Sequence, residues 1–117
     1  MYGTIYFTIA AMIEIREYLD GSGRSPFGDW RARLNVEARR RVTVAVYRLG
    51  LGNFSAVRGV GSGVFECKID FGPGYRVYFG KDGEELVILL GGGTKKRQQS
   101  DIALAQARWD HYKRRKA

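Results

Sequence analysis

The segment from Phe65 to Leu90 constrains the fold more than any other, because it reads as three antiparallel strands joined by two tight turns. Its first strand alternates apolar and charged residues, which is the pattern of a strand with one buried face. Gly72-Pro73-Gly74 predicts a tight turn, and Asp82-Gly83 predicts a two-residue hairpin turn because both residues tolerate positive φ. The last strand, Leu86–Leu90, is apolar without alternation, so we predict that it is central and covered on both faces.

The two faces of the first hairpin differ in polarity. If residues 72–74 form the whole loop, Asp70 lies opposite Arg76 and Lys68 lies opposite Tyr78. Because side chains alternate along a strand, the apolar residues share a core face and the polar residues share the other face. We expect an exposed ion pair between Asp70 and Arg76 on the polar face, which is either a solvated sheet surface or a functional one. The members of that face are Glu66, Lys68, Asp70, Arg76 and Tyr78.

The chain is strongly basic, with 20 lysine and arginine residues against 12 acidic residues and a net charge of +8. Such an excess indicates a polyanionic partner, either nucleic acid or an acidic protein. The alternative is a basic, soluble protein that has no such partner. The length of 117 residues predicts one domain with a single core, and we assign residues 1–117 to it.

One cysteine and one histidine limit the chemistry that is available to this chain. Cys67 has no partner for an internal disulfide, which indicates a reducing compartment, so we expect a cytoplasmic protein. Its inward strand position predicts a buried thiol rather than a nucleophile. With His111 alone, a two-histidine acid–base pair within one chain is excluded. Because the sequence has no Cys/His cluster, we predict neither a metal nor a cofactor.

The N-terminal residues 1–13 carry no charge. A secretory signal would need basic residues before the apolar stretch, and this stretch is too short to span a bilayer, so no membrane segment is predicted. The β-forming residues Ile5–Ile9 favour an edge strand. Alternatively, residues 1–11 are an upstream extension, since Met12 offers a second start.

Three helices are predicted from apolar periodicity and capping residues. Ser25-Pro26 opens the first helix, and the second runs from about Val36 to Leu49. The short link between them predicts an antiparallel hairpin packed on one face of the sheet. The third helix begins near Ser100-Asp101. The apolar stripes of the three helices are Phe27, Trp30 and Leu34; Ala38, Val42, Ala45 or Val46, and Leu49; and Ile102, Ala105, Trp109 and Tyr112.

Two glycine-containing segments are predicted to be loops. Asn53–Gly63 carries one charged residue, Arg58, and leads into the first strand of the sheet. Gly91-Gly92-Gly93 follows the last predicted strand, but it lacks the glycine–lysine spacing of a Walker phosphate loop. We expect it to place three cations, Lys95-Lys96-Arg97, between a strand end and the final helix.

Beyond residue 11, nearly the whole chain resembles a known family. Residues 72–79 read Gly-Pro-Gly-Tyr-Arg-Val-Tyr-Phe, and residues 92–102 fit Gly-Gly-x-Lys-x-x-Gln-x-x-Asp-Ile. These strings are specific, and they resemble the phage-derived addiction module killer proteins, which are HigB-like members of the RelE/ParE toxin superfamily. The similar stretches are Phe65–Phe79, Leu89–Lys95, Gln98, Asp101-Ile102, Tyr18–Asp20, Gly23–Phe27, Trp30 and Leu49–Phe54.

The resemblance implies a small α+β, RelE-like fold, with two N-terminal helices and a C-terminal helix packed on a curved, mainly antiparallel sheet. It implies the toxin of a type II toxin–antitoxin system, neutralised in a hetero-oligomer by a helix-turn-helix antitoxin. The activity it implies is metal-independent cleavage of messenger RNA, often on the ribosome. The superfamily also contains ParE-like toxins directed at gyrase, which keep the fold without the nuclease residues.

The resemblance also assigns residues to a nuclease site. Arg76 matches the arginine that contacts the scissile phosphate, Lys68 matches a strand lysine, and Lys95 or Lys96 matches the basic position after the last strand. RNA supplies its own nucleophile, the 2′-hydroxyl, so the protein must orient the phosphate, offset its developing charge and move protons. An arginine fork and lysine ammonium groups suit the first two tasks.

Two further residues are candidates for proton transfer. A catalytic tyrosine of the ribonuclease members falls near Ile102 here, so Tyr78 on the polar face is the candidate substitute, and Glu66 is a candidate base. The alternatives to a nuclease are a gyrase-directed toxin and a non-catalytic basic binding module. Cations on or beside one sheet face favour the nuclease, since a gyrase binder needs none of them there. The candidate RNA-binding residues are Lys96, Arg97, Arg58 and Arg40.

Overall fold

The sheet of this protein has five strands in the order β1-β5-β4-β3-β2, with β1 parallel to β5 and every other pair antiparallel. The computed structural model describes residues 12–116, and within them three α-helices pack on this sheet in a compact α+β domain. The predicted class is therefore confirmed. In chain order the elements are β1 (Glu14–Glu17), α1 (Pro26–Ala32), α2 (Val36–Gly50), β2 (Val57–Gly61), β3 (Val64–Ile69), β4 (Tyr75–Lys81), β5 (Leu86–Thr94), a 3-10 turn (Lys95–Arg97) and α3 (Gln98–Lys116).

Side-chain caps start the first two helices where the sequence predicts them. The Ser25 hydroxyl accepts a hydrogen bond of 2.9 Å from the Gly28 N–H, and Pro26 follows it in the first turn of α1. Asn35 Oδ1 likewise accepts from the Ala38 N–H at 2.9 Å and starts α2. These caps satisfy backbone donors that have no partner inside the helix. The arrangement of the two helices as an antiparallel hairpin stays a prediction.

Both edge strands of the sheet were missed by the sequence analysis. β1 lies at 14–17, and the strand predicted around Ile5–Ile9 falls outside the described residues, as does the proposed extension at 1–11. The loop prediction for Asn53–Gly63 is wrong over Val57–Gly61, which forms β2. Edge strands need few apolar residues because one of their sides has no neighbouring strand, so their alternation is weak.

The predicted register of the first hairpin is wrong by two residues. Lys68 lies opposite Arg76, and Glu66 lies opposite Tyr78. The connection is therefore five residues long, from Asp70 to Gly74, rather than three. A shift of two leaves every side chain on its predicted face, because side chains alternate with period two. The second turn is also longer than predicted, since residues 82–85 separate β4 from β5.

Each face of the sheet has its own apolar cluster, and β5 contributes to both. Val87 and Leu89 belong to the cluster under α1 and α2, whereas Ile88 and Leu90 belong to the cluster under α3. This confirms the prediction that Leu86–Leu90 is covered on both faces. The first cluster is built from Phe27, Ala38, Val42, Leu49, Cys67, Ile69, Tyr75, Val77, Phe79, Val87 and Leu89; the second from Tyr18, Val64, Tyr78, Ile88, Leu90, Ala105 and Trp109.

The run Gly91-Gly92-Gly93 is part of strand β5, not the loop that was predicted. A bulge sets Tyr78 opposite Gly91 and Phe79 opposite Leu89. A side chain at Gly92 would overlap the ring of Trp30 from α1, and one at Gly93 would overlap the Asp101 carboxylate from α3. Glycine is thus required because helices on opposite faces approach the strand closely.

Candidate functional site

The polar face predicted on the first hairpin lies beneath α3 and is largely buried. Glu66, Arg76 and Tyr78 are only 2%, 5% and 1% exposed. The expectation of a solvent-exposed face is therefore wrong at these three positions, although Lys68 is exposed as expected. Strand alternation reveals which residues share a face, but it carries no information about a helix that arrives from the end of the chain.

The carboxylate of Glu66 is the centre of this buried network. Gln98 Nε2 donates to its Oε2 at 2.8 Å, and Arg58 Nε donates to its Oε1 at 3.0 Å. Arg76 Nε lies 3.5 Å from Oε2 on the same carboxylate. The predicted Asp70–Arg76 ion pair is therefore wrong, and Glu66 is the partner of Arg76. Both oxygens of Glu66 have partners, and its role as a base stays a prediction.

Arg76 and Lys95 are joined through one carbonyl group. Arg76 Nη1 donates to the Gly74 oxygen at 2.8 Å, and the Lys95 N–H donates to the same oxygen at 2.9 Å. Gly74 has a φ of +78°, a conformation that glycine adopts without strain, so the turn suits this residue. With Lys68 opposite Arg76 in the strand ladder, three cationic residues converge at one end of the sheet.

Three buried polar atoms in residues 12–116 have no hydrogen-bond partner: Arg76 Nε, the Tyr78 hydroxyl and Asp101 Oδ2. The separation of 3.5 Å from Glu66 is too long for a good hydrogen bond to Arg76 Nε. All three residues belong to this face, because Asp101 packs on Gly93 and Gly93 lies opposite Arg76. Unsatisfied buried polar atoms are rare in folded proteins, so their concentration makes this face the candidate functional site.

Burial shifts the protonation of two of these groups. Burial, and next the negative charge of Glu66, raises the pKa of Tyr78 far above its ordinary value, so the phenol stays protonated and acts as a donor. Burial also raises the pKa of Asp101, more than the nearby Arg97 and Arg108 lower it. At Cys67, burial raises the thiol pKa, which agrees with the prediction of a buried thiol rather than a nucleophile.

The remaining candidates form an exposed basic rim or lie elsewhere. Lys95, Lys96 and Arg97 form the 3-10 turn between β5 and α3 and are exposed. Arg58 on β2 reaches the buried carboxylate of Glu66 while 64% of its side chain stays exposed. Arg40 lies on α2, which packs on the opposite face of the sheet. The structure therefore does not bring Arg40 together with the others.

Two residues of the site had no role in the sequence analysis, although both occur in the strings used for the resemblance. Gln98 bonds Glu66, and Asp101 contacts Gly93. The glycine run was the available signal, since a glycine inside a strand often marks a close approach by another group.

Between residues 12 and 116, no three His, Cys, Asp or Glu side chains are grouped so that they hold a metal ion. In the same range, no helix is both long and apolar enough to cross a membrane.

The fold and this site define a small α+β domain with a buried polar network beneath its C-terminal helix. No family model matches the sequence. The chain is 42% identical over 81 residues to an uncharacterized protein of Haemophilus influenzae, and the similar region covers 68% of this chain and 82% of that protein. The chain belongs to the same family as that Haemophilus protein.

Proposed function

We propose that this protein is a HigB-like toxin of a type II toxin–antitoxin system and acts as a metal-independent mRNA endoribonuclease. One observation carries the proposal: the unsatisfied buried polar atoms of residues 12–116 gather beside Arg76, where Lys68 and Lys95 also converge. Two of these atoms, Arg76 Nε and the Tyr78 hydroxyl oxygen, belong to donor groups that no hydrogen bond satisfies, and preorganised donors are what a developing negative charge requires. The resemblance of the chain to RelE-like toxins, with a curved sheet and their helix arrangement, supports the same conclusion.

The reaction that suits these residues is attack by the RNA 2′-hydroxyl on the adjacent phosphate. Arg76 offers its guanidinium to the phosphate oxygens, and Lys68 and Lys95 offset the charge that develops on the phosphorane. Glu66 acts as a positioning residue that fixes Arg76 and Arg58. Glu66 is also the candidate base that takes the proton of the 2′-hydroxyl as its oxygen bonds to phosphorus. Tyr78 stays protonated and is the candidate donor of a proton to the 5′-oxygen as the bond between that oxygen and phosphorus breaks.

Access to the buried part of the site requires one local movement. Lys68, Lys95, Lys96 and Arg97 are exposed, so a phosphate reaches them on the surface of the folded protein. Arg76 is buried, and the Gln98 side chain bonds its partner Glu66 at 2.8 Å. We propose that RNA binding at the basic rim opens this contact, in keeping with action on the ribosome, where the message is already extended.

The partners follow from the same proposal. A helix-turn-helix antitoxin would neutralise the toxin in a hetero-oligomer, and messenger RNA would be the substrate in the cytoplasm. The net charge of +8 supports both an acidic protein partner and a nucleic-acid substrate.

A second candidate function is that of a gyrase-directed toxin or a basic binding module. The observation that favours it is the burial of the central arginine, since the Arg76 side chain is 6% exposed and paired with Glu66. In that case the network stabilises the fold and contacts no substrate.

RNA sequencing shortly after induction of the protein separates the two functions. The nuclease predicts discrete cleavages inside coding regions before growth stops. A gyrase poison predicts intact messages together with double-strand breaks in DNA. Intact messages and intact DNA in arrested cells would contradict the nuclease and the gyrase poison and would favour the basic binding module.

A further inference from the structure

The outward side of α2 carries an apolar stripe that the fold does not use. Val36, Val44, Tyr47 and Leu51 are 70%, 43%, 62% and 50% exposed. With Arg40 between Val36 and Val44, they recur every three or four residues, so they line one side of the helix and its C-terminal cap. We call these five residues the outer face of α2. Single exposed apolar residues are ordinary, whereas a continuous stripe marks an interaction surface.

The buried side of the same helix accounts for its packing in the domain. Ala38, Val42 and Leu49 are at most 1% exposed and belong to the apolar cluster against the sheet. The outer face points away from that cluster, so the fold itself does not require apolar residues there. α2 therefore has two apolar stripes. One packs on the core, and the other lies on a surface that a second molecule would cover.

A basic groove borders the outer face. It has a volume of about 540 Å³ and lies between α2 and the β3 end of the sheet, with Val44, Arg41, Arg48 and Lys68 among its lining residues. Glu37 bonds both Arg40 and Arg41, at 2.8 Å and 2.9 Å. Four cationic residues and two carboxylates, Glu37 and Asp70, line the groove, so its lining carries a net positive charge. Arg48 and Lys68 have no ion-pair partner within residues 12–116. The groove thus offers positive charge beside an apolar stripe.

We infer that the outer face of α2 and this groove bind an amphipathic helix of another protein, with an apolar stripe flanked by aspartate and glutamate. The apolar stripe supplies the contact area, and carboxylates suit the arginines at its border. A second copy of this chain fits poorly, because pairing two such faces would bring their arginines together while Glu37 is already bonded to Arg40 and Arg41. Single-stranded RNA fits poorly as well, because Tyr47 is the one aromatic residue among the five and Val36, Val44 and Leu51 offer bases no stacking surface.

This surface is separate from the buried part of the proposed nuclease site, although the exposed Lys68 lines the groove and also belongs to that site. α2 packs on one face of the sheet, and the Glu66–Arg76 network lies on the other face, beneath α3. A partner on the outer face of α2 therefore does not need to touch Arg76. The inference stands whether or not the protein cleaves RNA, and its test measures binding alone.

The test uses the full chain and a labelled synthetic helix of about four turns, matched to the length of α2. The probe carries leucines on one side and glutamates beside them. One control peptide has the same composition in scrambled order, and a second has lysine in place of glutamate. Binding is measured by fluorescence anisotropy for the parent protein, Val44→Glu and Leu104→Glu. Leu104 is the matched control, because it is 48% exposed and lies on α3.

We expect the acidic probe to bind the parent and Leu104→Glu equally, and Val44→Glu at least about tenfold more weakly. Both control peptides should also bind the parent at least about tenfold more weakly than the probe. If Val44→Glu fails to fold, as judged by circular dichroism, Tyr47→Ala takes its place and should show the same loss.

Three results would overturn the inference. The first is equal binding of the probe and its scrambled form, or no loss in either α2 variant. The second is a dimer of the parent that Val44→Glu converts to monomer, which would assign the face to a second copy. The third is an oligouridylate probe that binds more tightly than the peptide and loses affinity in Arg48→Glu but not in Val44→Glu, which would assign the groove to nucleic acid.

Discussion

The face of the sheet under α1 and α2 is lined by apolar side chains such as Val77 and Phe79, whereas the face under α3 also buries Glu66, Arg76 and Tyr78. Each face has a helical cover and nearly complete burial. The apolar face gains stability from burial, and among residues 12–116 it holds none of the buried side-chain nitrogen or oxygen atoms that lack a hydrogen-bond partner. The α3 face removes charged and hydroxyl groups from water and leaves three polar atoms unsatisfied.

This difference indicates what each face does. Replacing a buried ion pair by apolar residues of similar volume is often neutral or stabilising, so we propose that function rather than folding accounts for the polar residues of the α3 face. The comparison predicts that substitutions on the apolar face change stability alone. Substitutions on the α3 face should separate stability from activity.

The largest effect on stability is expected at Phe79, which is fully buried between the rings of Phe65 and Phe54 at 5.6 Å and 6.3 Å. Phe79→Ala removes this packing and leaves a cavity, so unfolding in urea should show a loss of about 3–5 kcal/mol. Phe79→Leu is the matched control and should lose much less. A loss in Phe79→Ala below about 1 kcal/mol would show that this face is not the main source of stability.

The next largest effect on stability is expected at the buried ion pair of Glu66 and Arg76. Arg76→Met leaves the charge of Glu66 with Gln98 and Arg58 alone, so we expect a loss near the lower end of the range of about 3–5 kcal/mol for a broken buried pair. The double variant Glu66→Gln/Arg76→Met removes both charges and should be more stable than Arg76→Met. Denaturant unfolding of Glu66→Gln, Arg76→Met and the double variant gives a double-mutant cycle, which measures the coupling free energy between the two side chains. Additive losses would mean that the two side chains are not coupled.

A smaller, pH-dependent effect on stability is expected at Asp101. Burial raises the pKa of Asp101 in the folded protein above its ordinary value of 3.8. Between these two pKa values, Asp101 is ionised in the unfolded chain but still protonated in the folded protein. The contribution of Asp101 to the stability of the fold therefore falls as pH rises through this interval. Asp101→Asn should therefore gain stability relative to the parent as pH rises from below 3.8 to neutral. Asp110→Asn, at an exposed position of α3, is the control. A difference that stays constant with pH would contradict the burial of Asp101.

The smallest effect is expected at the Tyr78 hydroxyl, which is buried without a partner. Tyr78→Phe removes this group, so thermal unfolding should show unchanged stability or a gain of at most about 1 kcal/mol. Tyr112→Phe is the matched control: its hydroxyl donates to Asp82 at 2.8 Å, and its removal should cost about 1 kcal/mol. A clear loss in Tyr78→Phe would mean that the hydroxyl has a partner after all.

Local patterns predicted much of the fold, while contacts between distant segments decided the rest. Alternation in 65–79 assigned the correct faces, and Ser25 predicted the start of α1. The same alternation placed Arg76 in solvent, because it carries no information about the distant helix α3, whose residue Gln98 bonds Glu66 on this face. Gly92 resembled a loop residue for the same reason, since its constraint comes from Trp30 on another element.

The candidate site was predicted in part. The sequence placed Glu66, Arg76 and Tyr78 on one face, and that grouping is confirmed. The contacts among these residues depend on the register of β3 and β4. The turn residues predicted a register that differs from the observed one by two residues. The roles of these residues in RNA cleavage stay predictions.

The most direct test of the proposed nuclease site is cleavage of messenger RNA in a translating extract by purified protein. It compares the parent, the Glu66→Gln/Arg76→Met variant and Arg114→Ala. Arg114 is the matched basic control, because its side chain is 70% exposed near the end of α3. Loss of one positioned donor to the phosphate predicts a rate about 10²–10³-fold lower in the double variant and an unchanged rate in Arg114→Ala. A folded double variant that cleaves RNA as fast as the parent would contradict the placement of the reaction on this face.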